Sequence, residues 1–251
     1  MRILSSSGGI FDDYQVFSLD IDRIPGEIYS SLIVMLIIAV ISIIIGVLAR
    51  RQDPLKKPKG ILHLAEIGVE TFDGMVKEYM GPQFKGFGGF VMAIAMYLFL
   101  SFIFGLTGLP SPMTYIAIPL SLGLTTFVLI HATAIRFQKW GYFKRYVEPF
   151  PVMLPINLLS MWAPLISLTL RIFGNAVAGW TIMTILYYGL ENVSATVFSF
   201  IESEWNQIFF APIVTPVLHA YFDLFSGFIQ TLVFISLSMI YIGQEVPQED
   251  F

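Results

Sequence analysis

Uncharged apolar positions run unbroken over residues 28–48, 86–106 and 115–135, and each run is bounded by polar or helix-breaking segments. At 1.5 Å per residue, about 20 residues cross a hydrocarbon layer of about 30 Å, so each run predicts one membrane-spanning helix. Two later runs are longer: about 34 residues over 155–188 and about 36 over 208–243. As continuous helices they would measure about 50 Å. Either they lie strongly tilted, or they break at Pro164 in the first and at Pro212 and Pro216 in the second. Residues 61–80 behave differently. Ile61, Leu64, Ile67, Gly68, Phe72, Met75, Val76 and Tyr79 recur at helical spacing, while Glu66, Glu70, Asp73, Lys77 and Glu78 mark the other side. This pattern predicts an amphipathic helix lying in the membrane interface. A short helix packed on other parts of the chain is the alternative.

The polar intervals complete the layout. Residues 1–26 are acidic and punctuated by Gly and Pro, and form a short exposed segment. Residues 53–60 make a basic, proline-broken linker. The whole reads as one membrane domain over 1–251: an all-α integral membrane fold with five spans and one interfacial helix. Eleven of the fourteen Lys and Arg residues lie between spans one and two or between spans three and four. The excess of basic residues in cytoplasmic loops then places both loops inside, with the N-terminus outside and the C-terminus inside.

Composition narrows the functional classes. Hydrophobic residues make up 56% and charged residues 13% of 251, against about 25% charged in soluble domains. Mean hydropathy is +0.75. The net charge of −4 argues against nucleic-acid binding, and the absence of cysteine excludes disulfides and thiolate metal sites. The start has no apolar signal-peptide core, so the first span is expected to direct insertion. His63, His131 and His219 fall in separate segments and form no metal-ligating or nucleophilic cluster. No cofactor, and no catalytic site of the chain's own, is expected. A voltage sensor would repeat arginine at every third position, and no internal repeat of the kind common in secondary transporters is present.

Within 155–188 the only charged residue is Arg171. A lone arginine at membrane depth costs from about 3 kcal/mol by insertion scales to more than 10 in simulations. Positions i−4, i+3, i+4 and i+7 from it are Ser167, Gly174, Asn175 and Ala178, a small and polar face, with Gly179 next to it. Gly174, Ala178 and Gly179 suit close helix packing. In the last span, His219, Asp223, Ser226 and Gln230 fall at i, i+4, i+7 and i+11, one face of a regular helix. Such a face in lipid implies water or partners. The simplest structural account is that Asp223 neutralises Arg171; that leaves His219 and Gln230 unexplained. The order along the span puts His219 and Asp223 on the outer side of the Arg171/Gln230 level, with Gln230 about 10 Å deeper than Asp223.

At these residues the chain resembles subunit a of F-type ATP synthases. The resemblance rests on Leu168-Thr169-Leu170-Arg171-Ile172-Phe173-Gly174-Asn175-Ala176-Val177-Ala178-Gly179 and on Phe228-Ile229-Gln230-Thr231-Leu232-Val233-Phe234 followed by Ser238-Met239-Ile240-Tyr241. Pro58-Lys59-Gly60, Gly105-Leu106-Thr107-Gly108-Leu109-Pro110 and Pro155-Ile156-Asn157-Leu158-Leu159 match in the same order, so the likeness extends from about residue 30 onward. It implies a stator subunit beside a rotating ring of c subunits, with membrane helices of the b-subunit stalk as neighbours and the catalytic head as an indirect partner. Two offset half-channels would carry ions to and from a carboxylate on each c subunit. Arg171 would attract the passing carboxylate, drive off its ion and block a direct leak. Gln230 would face that arginine, and Asn175 would line the outer side. Arg171 is thus the expected functional centre, with Asn175, His219, Asp223, Ser226 and Gln230 as the ion pathway.

Several positions depart from the family's pattern. Trp180 stands where many members carry Glu or His, Met161 and Ser160 stand where many carry acids, and the stretch 189–207 is longer and more acidic than usual. Asp223 stands where members carry His, Glu or Ser. The in-span acid load falls on Asp223, together with His219. The ion is expected to be H⁺, with Na⁺ the alternative; a secondary transporter whose Arg171 binds an anion is the reading from another class. Pro58-Lys59-Gly60 before an amphipathic helix points to a bacterial plasma membrane, and a mitochondrial inner membrane is the alternative.

Overall fold

In the computed structural model the described residues are 25–52, 58–142, 144, 150–199 and 209–247. The exposed N-terminal segment and parts of the basic and acidic connections named above lie outside them. Among the described residues the regular structure is helical throughout. Helix α1 spans Gly26–Arg51, α2 Ile61–Met80, α3 Gly88–Ile103 with a 3-10 extension over Phe104–Thr107, and α4 Ala117–Gln138. Helix α5 spans Leu154–Val197, and α6 spans Ala211–Gly243. Five of the six are long and apolar enough to cross a membrane, and α2 is the exception.

The long runs resolve in favour of continuous helices. Helix α5 has 44 residues, about 66 Å, roughly twice the hydrocarbon thickness. It passes straight through Pro164. Neighbouring helices can hold a membrane helix together where proline removes a backbone donor. Strong tilt is the way such a length fits a bilayer. Helix α5 also extends nine residues beyond the predicted end at 188, taking in the first part of the acidic stretch. Helix α6 opens at Ala211 with Pro212 in its first turn and runs through Pro216, but its middle, Ala220–Ser226, is π-helical. Bonding from i to i+5 winds the chain more slowly, so the residues before and after this segment do not form the single straight row that a regular α-helix would give.

Helix α3 is central, touching α1, α2 and α6, while α4 fills the space between α5 and α6. The core gathers Leu98 and Phe102 of α3, Ile130 of α4, Leu168 and Ile172 of α5, and Phe234 and Met239 of α6. Hydrogen bonds join the helices where they meet: Ser31 and Tyr97 hydroxyls at 2.6 Å between α1 and α3, and Thr126 and Ser238 hydroxyls at 3.3 Å between α4 and α6. Such bonds contribute about 0.6–2 kcal/mol each in membranes. Helix α2 packs on the rest of the chain along part of its length. Its C-terminal half buries Val76 and Met80 against α3 and α6, whereas Ile61, Leu64 and Ile67 are exposed.

Small residues set the closest approaches. A Cβ at Gly123 would strike Thr169 of α5, and one at Gly227 would lie 2.6 Å from the Phe102 Cβ of α3. At Gly243 a Cβ would strike the backbone carbonyl of Tyr79 and lie 3.2 Å from the Met80 Cα, and backbone cannot step aside cheaply. Gly243→Val is therefore expected to destabilise the folded chain by about 1–3 kcal/mol. Thermal unfolding of the purified chain in detergent checks this; an unchanged midpoint would show that α2 and α6 separate easily. Gly174→Val is the control, because nothing lies within 4 Å of a Cβ there.

Candidate functional site

Arg171 sits at the edge of the core. Its neighbours Leu168, Thr169 and Ile172 are buried, which fixes that side of α5 against α4 and α6 and leaves the arginine half-buried at the boundary. Its guanidinium Nη2 donates to the Ser167 Oγ at 3.0 Å, one turn earlier on the same helix. Among the described residues no carboxylate forms an ion pair with it. The account in which Asp223 neutralises Arg171 is not what the geometry shows, because the Asp223 carboxylate is engaged elsewhere. Beyond Arg171 toward the 197 end, Gly174, Asn175 and Ala178 are exposed and present a small-residue strip, and no described residue comes within 4 Å of a Cβ at Gly174. Gly179 instead packs on Phe222 of α6, its Cβ position 3.7 Å from that ring.

Gln230 is buried, 4% exposed, on α6. Its Oε1 accepts a 2.7 Å hydrogen bond from Asn175 Nδ2. The expected pairing of Gln230 with Arg171 is thus replaced by a pairing one turn further along α5. Among the described residues the buried Gln230 Nε2 has no hydrogen-bond partner. An amide so placed has donors to spare in a site where an unpaired polar atom costs about 1–3 kcal/mol. Asn175, itself exposed, links this buried amide to the open strip.

The constellation around His219 is compact. His219 and Asp223 meet at 2.5 Å, Nδ1 to Oδ2, across one turn of α6. The other imidazole nitrogen, Nε2, lies 2.9 Å from the hydroxyl of Tyr187 on α5. Asp223 also faces the 3-10 end of α3: a Cβ at Gly105 would stand 3.6 Å from its Oδ1. About a quarter of each of the His219 and Asp223 side chains is exposed. The α6 residues and Tyr187 thus form a chain of three polar groups, and Ser226 closes the π segment half-buried.

The sequence reading brought out Arg171, Asn175, His219, Asp223, Ser226 and Gln230; the fold joins Asn175 to Gln230 across α5 and α6 and His219 to Asp223 along α6, while Arg171 bonds Ser167 on its own helix. It missed Tyr187. That residue closes a long apolar run and lies 16 positions, about 24 Å, from Arg171 along α5. No local spacing links it to His219; only the crossing of two helices does. Among the described residues no three of His, Asp and Glu come together as a metal site.

Residues 31–243 match the ATP synthase A chain family. The chain is 28% identical to ATP synthase subunit a of Mycoplasma pneumoniae over 261 aligned positions, covering 96% of this chain and 88% of the relative. It is 31% identical to ATP synthase subunit a of Mycoplasma genitalium, over 76% of this chain and 69% of that one. A 36% identity over 51% of this chain is found with 37% of a Propionigenium modestum protein named as a sodium-ion-specific ATP synthase subunit a. The match runs unbroken from α1 to the end of α6, through both the arginine and the glutamine segments, and the five apolar helices fit it: this chain is a multi-pass membrane protein belonging to the ATP synthase subunit a family.

Proposed function

We propose that this chain is the stator of the membrane motor, in which Arg171 meets a carboxylate carried past it by a rotating c ring. The observation that carries this reading is a half-buried arginine with no acidic partner among the described residues, beside an open strip of small residues. Opposite charges about 4 Å apart attract by about 4 kcal/mol at an effective dielectric near 20. That corresponds to about 3 pKa units on the visiting carboxylate, enough to make it release its ion as it reaches Arg171. The fixed positive charge also repels cations and so separates the two half-channels. Gly174, Asn175 and Ala178 let the ring helix approach closely, and the length and tilt of α5 and α6 let them follow a curved surface. The outer half-channel runs past His219 and Asp223 to Asn175, with Ser226 and Gln230 completing its wall.

The remaining partners follow from the same assignment. Membrane helices of the b subunit fit the largely exposed α1, and the catalytic head is reached indirectly. The basic ends of α1 (Arg50 and Arg51) and α4 (Arg136 and Lys139) support an orientation with the N-terminus outside and the C-terminus inside. A bacterial plasma membrane is the setting that the bacterial relatives favour. The carried ion is H⁺; the sodium-specific name of one relative keeps Na⁺ as the competing possibility.

Because the chain has no cysteine, single cysteines report contacts cleanly. Ala178→Cys is expected to cross-link to a cysteine placed on the ring helix near its carboxylate, in native membranes. Ser238→Cys, buried between α4 and α6, is expected not to. Equal cross-linking at both, or at neither, would remove the docking face from the proposal.

A further inference from the structure

We propose that a cavity at the corner between α2 and α3 holds the phosphate headgroup of an anionic phospholipid, with Lys77 and Lys85 as its cationic contacts. This site lies outside the motor proposed above and depends only on the chain being a membrane protein.

The cavity measures about 240 Å³ and is lined by Asp73, Val76 and Lys77 of α2 and by Pro82, Phe84 and Lys85 of the connection to α3. Drug-sized sites begin at about 300 Å³, so this space suits a headgroup and leaves acyl chains in the bilayer. Val76 is buried and Phe84 half-buried, which gives an apolar wall, whereas Lys77 and Lys85 are exposed at the rim. Asp73 and Lys77 stand at i and i+4, a spacing at which opposite charges can pair on a helix. Yet among the described residues neither lysine makes an ion pair. The position of Asp73 explains this. Its carboxylate lies against Gly88 in the first turn of α3, where an added Cβ would strike it. There the positive end of the α3 dipole offsets its charge. The lining thus holds two cations and a single carboxylate whose charge is already met.

The cavity also lies where headgroups lie. Gly88 opens the apolar span Gly88–Thr107, so the lining residues just before it mark one end of that span. Phe84 meets Phe137 in the last turn of α4, ring centroids 6.1 Å apart, so both spans reach the same membrane face beside the cavity. Phe87, 6.0 Å from Phe84, and Phe90, 5.0 Å further on, extend this aromatic band along α3. Arg136 adds a third cation nearby, its Cζ 5.8 Å from the Phe137 ring centroid. Trp140, 84% exposed, follows just after the end of α4. Tryptophan favours the headgroup level of a bilayer. Lysine lays its stem on apolar surface while its ammonium reaches outward. Basic pockets of this kind between membrane helices recognise anionic headgroups. A free phosphate would satisfy the two lysines equally, but it makes no use of the Val76 and Phe84 wall or of the place at the ends of two spans. Those two features favour a lipid.

Native mass spectrometry of the purified full chain in detergent, titrated with phosphatidylglycerol or with phosphatidylcholine, reads the binding directly. One phosphatidylglycerol is expected to be held about 10-fold more tightly than phosphatidylcholine. Lys77→Gln combined with Lys85→Gln is expected to weaken phosphatidylglycerol binding about 30-fold, equivalent to about 1 kcal/mol for each lysine near anionic lipid, and to leave phosphatidylcholine unchanged. Both side chains are exposed, so the unfolding midpoint of this variant in lipid-free detergent is expected to match that of the unaltered chain. Lys77→Arg combined with Lys85→Arg is expected to keep the affinity. Arg50→Gln combined with Arg51→Gln removes the same charge at the end of α1, outside the lining, and is expected to leave the affinity unchanged. Equal retention of the two lipids, or an equal loss in the two glutamine variants, would overturn the site. Full displacement of phosphatidylglycerol by millimolar inorganic phosphate would overturn the lipid as its occupant in favour of a free anion. The stator reading depends on Arg171 and not on this corner, so it stands under each of these results.

Discussion

Arg171→Ala is expected to abolish ion-driven ATP synthesis in the reconstituted complex while the subunit still inserts and assembles. The loss follows from the charge. Without the guanidinium, the visiting carboxylate loses about 4 kcal/mol of attraction and keeps its ion through the stator. That is about a thousandfold in the ionisation equilibrium, so the ring stalls or turns uncoupled. On the stator reading, removal of the positive charge is also expected to open a leak between the two proposed half-channels. Assembly survives because the packing of α5 depends on Leu165, Leu168 and Ile172, which are buried, and among the described residues the guanidinium hydrogen-bonds only Ser167, within the same helix. Arg171→Lys separates charge from shape: it keeps the charge but not the planar fork of donors. Synthesis at the wild-type rate in Arg171→Ala, measured alongside subunit content, would defeat the stator reading.

Asp223→Asn is expected to have the second largest effect, slowing ion flow about 100-fold with assembly preserved. The carboxylate is the acceptor of the 2.5 Å bond from His219 and stands against Gly105 of α3, so an amide of nearly the same shape fits the same space. What the amide cannot do is take up and release a proton. Asp223→Glu is the informative companion. It restores the chemistry in a longer side chain, and partial recovery of flow would assign the effect to the carboxyl and not to packing. Unchanged flow in Asp223→Asn would make the residue a structural partner of His219 alone. Proton uptake by inverted vesicles during ATP hydrolysis gives the rate in each case.

Helices and solvents were legible from composition because the bilayer imposes them. A run of about 20 uncharged apolar residues has few alternatives to a spanning helix, since backbone polar groups in lipid must bond within the segment. The 61–80 helix was equally plain and agrees with α2 at both ends, because a sustained 3.6-residue period carries its own limits. Arg171 was conspicuous for the same energetic reason: a charge is too costly in lipid to be incidental.

Other features were not written locally. Proline at 164 is a strong break signal in water, yet α5 continues through it, because neighbours in the bundle hold the helix. The π segment over Ala220–Ser226 has no marker of its own; it disrupts the regular spacing from which a single polar face of α6 was inferred. Gln230 and Arg171 share a level by counting along antiparallel helices, but hydrogen bonding depends on rotation about each helix axis. That rotation gives Gln230 to Asn175 and leaves the arginine without an acidic partner among the described residues.

The sequence by itself determined the solvent of this protein, the number of its candidate spans, and the one arginine that lipid makes too expensive to ignore. Each of these is a one-dimensional property: a length, a composition or a charge set against a slab of hydrocarbon. The tertiary structure decided who meets whom. The Tyr187–His219–Asp223 chain, the Asn175–Gln230 bond and the open strip beside Arg171 all arise where two helices far apart in sequence cross at a particular rotation, and that rotation is fixed by packing over the whole bundle, which no local pattern encodes.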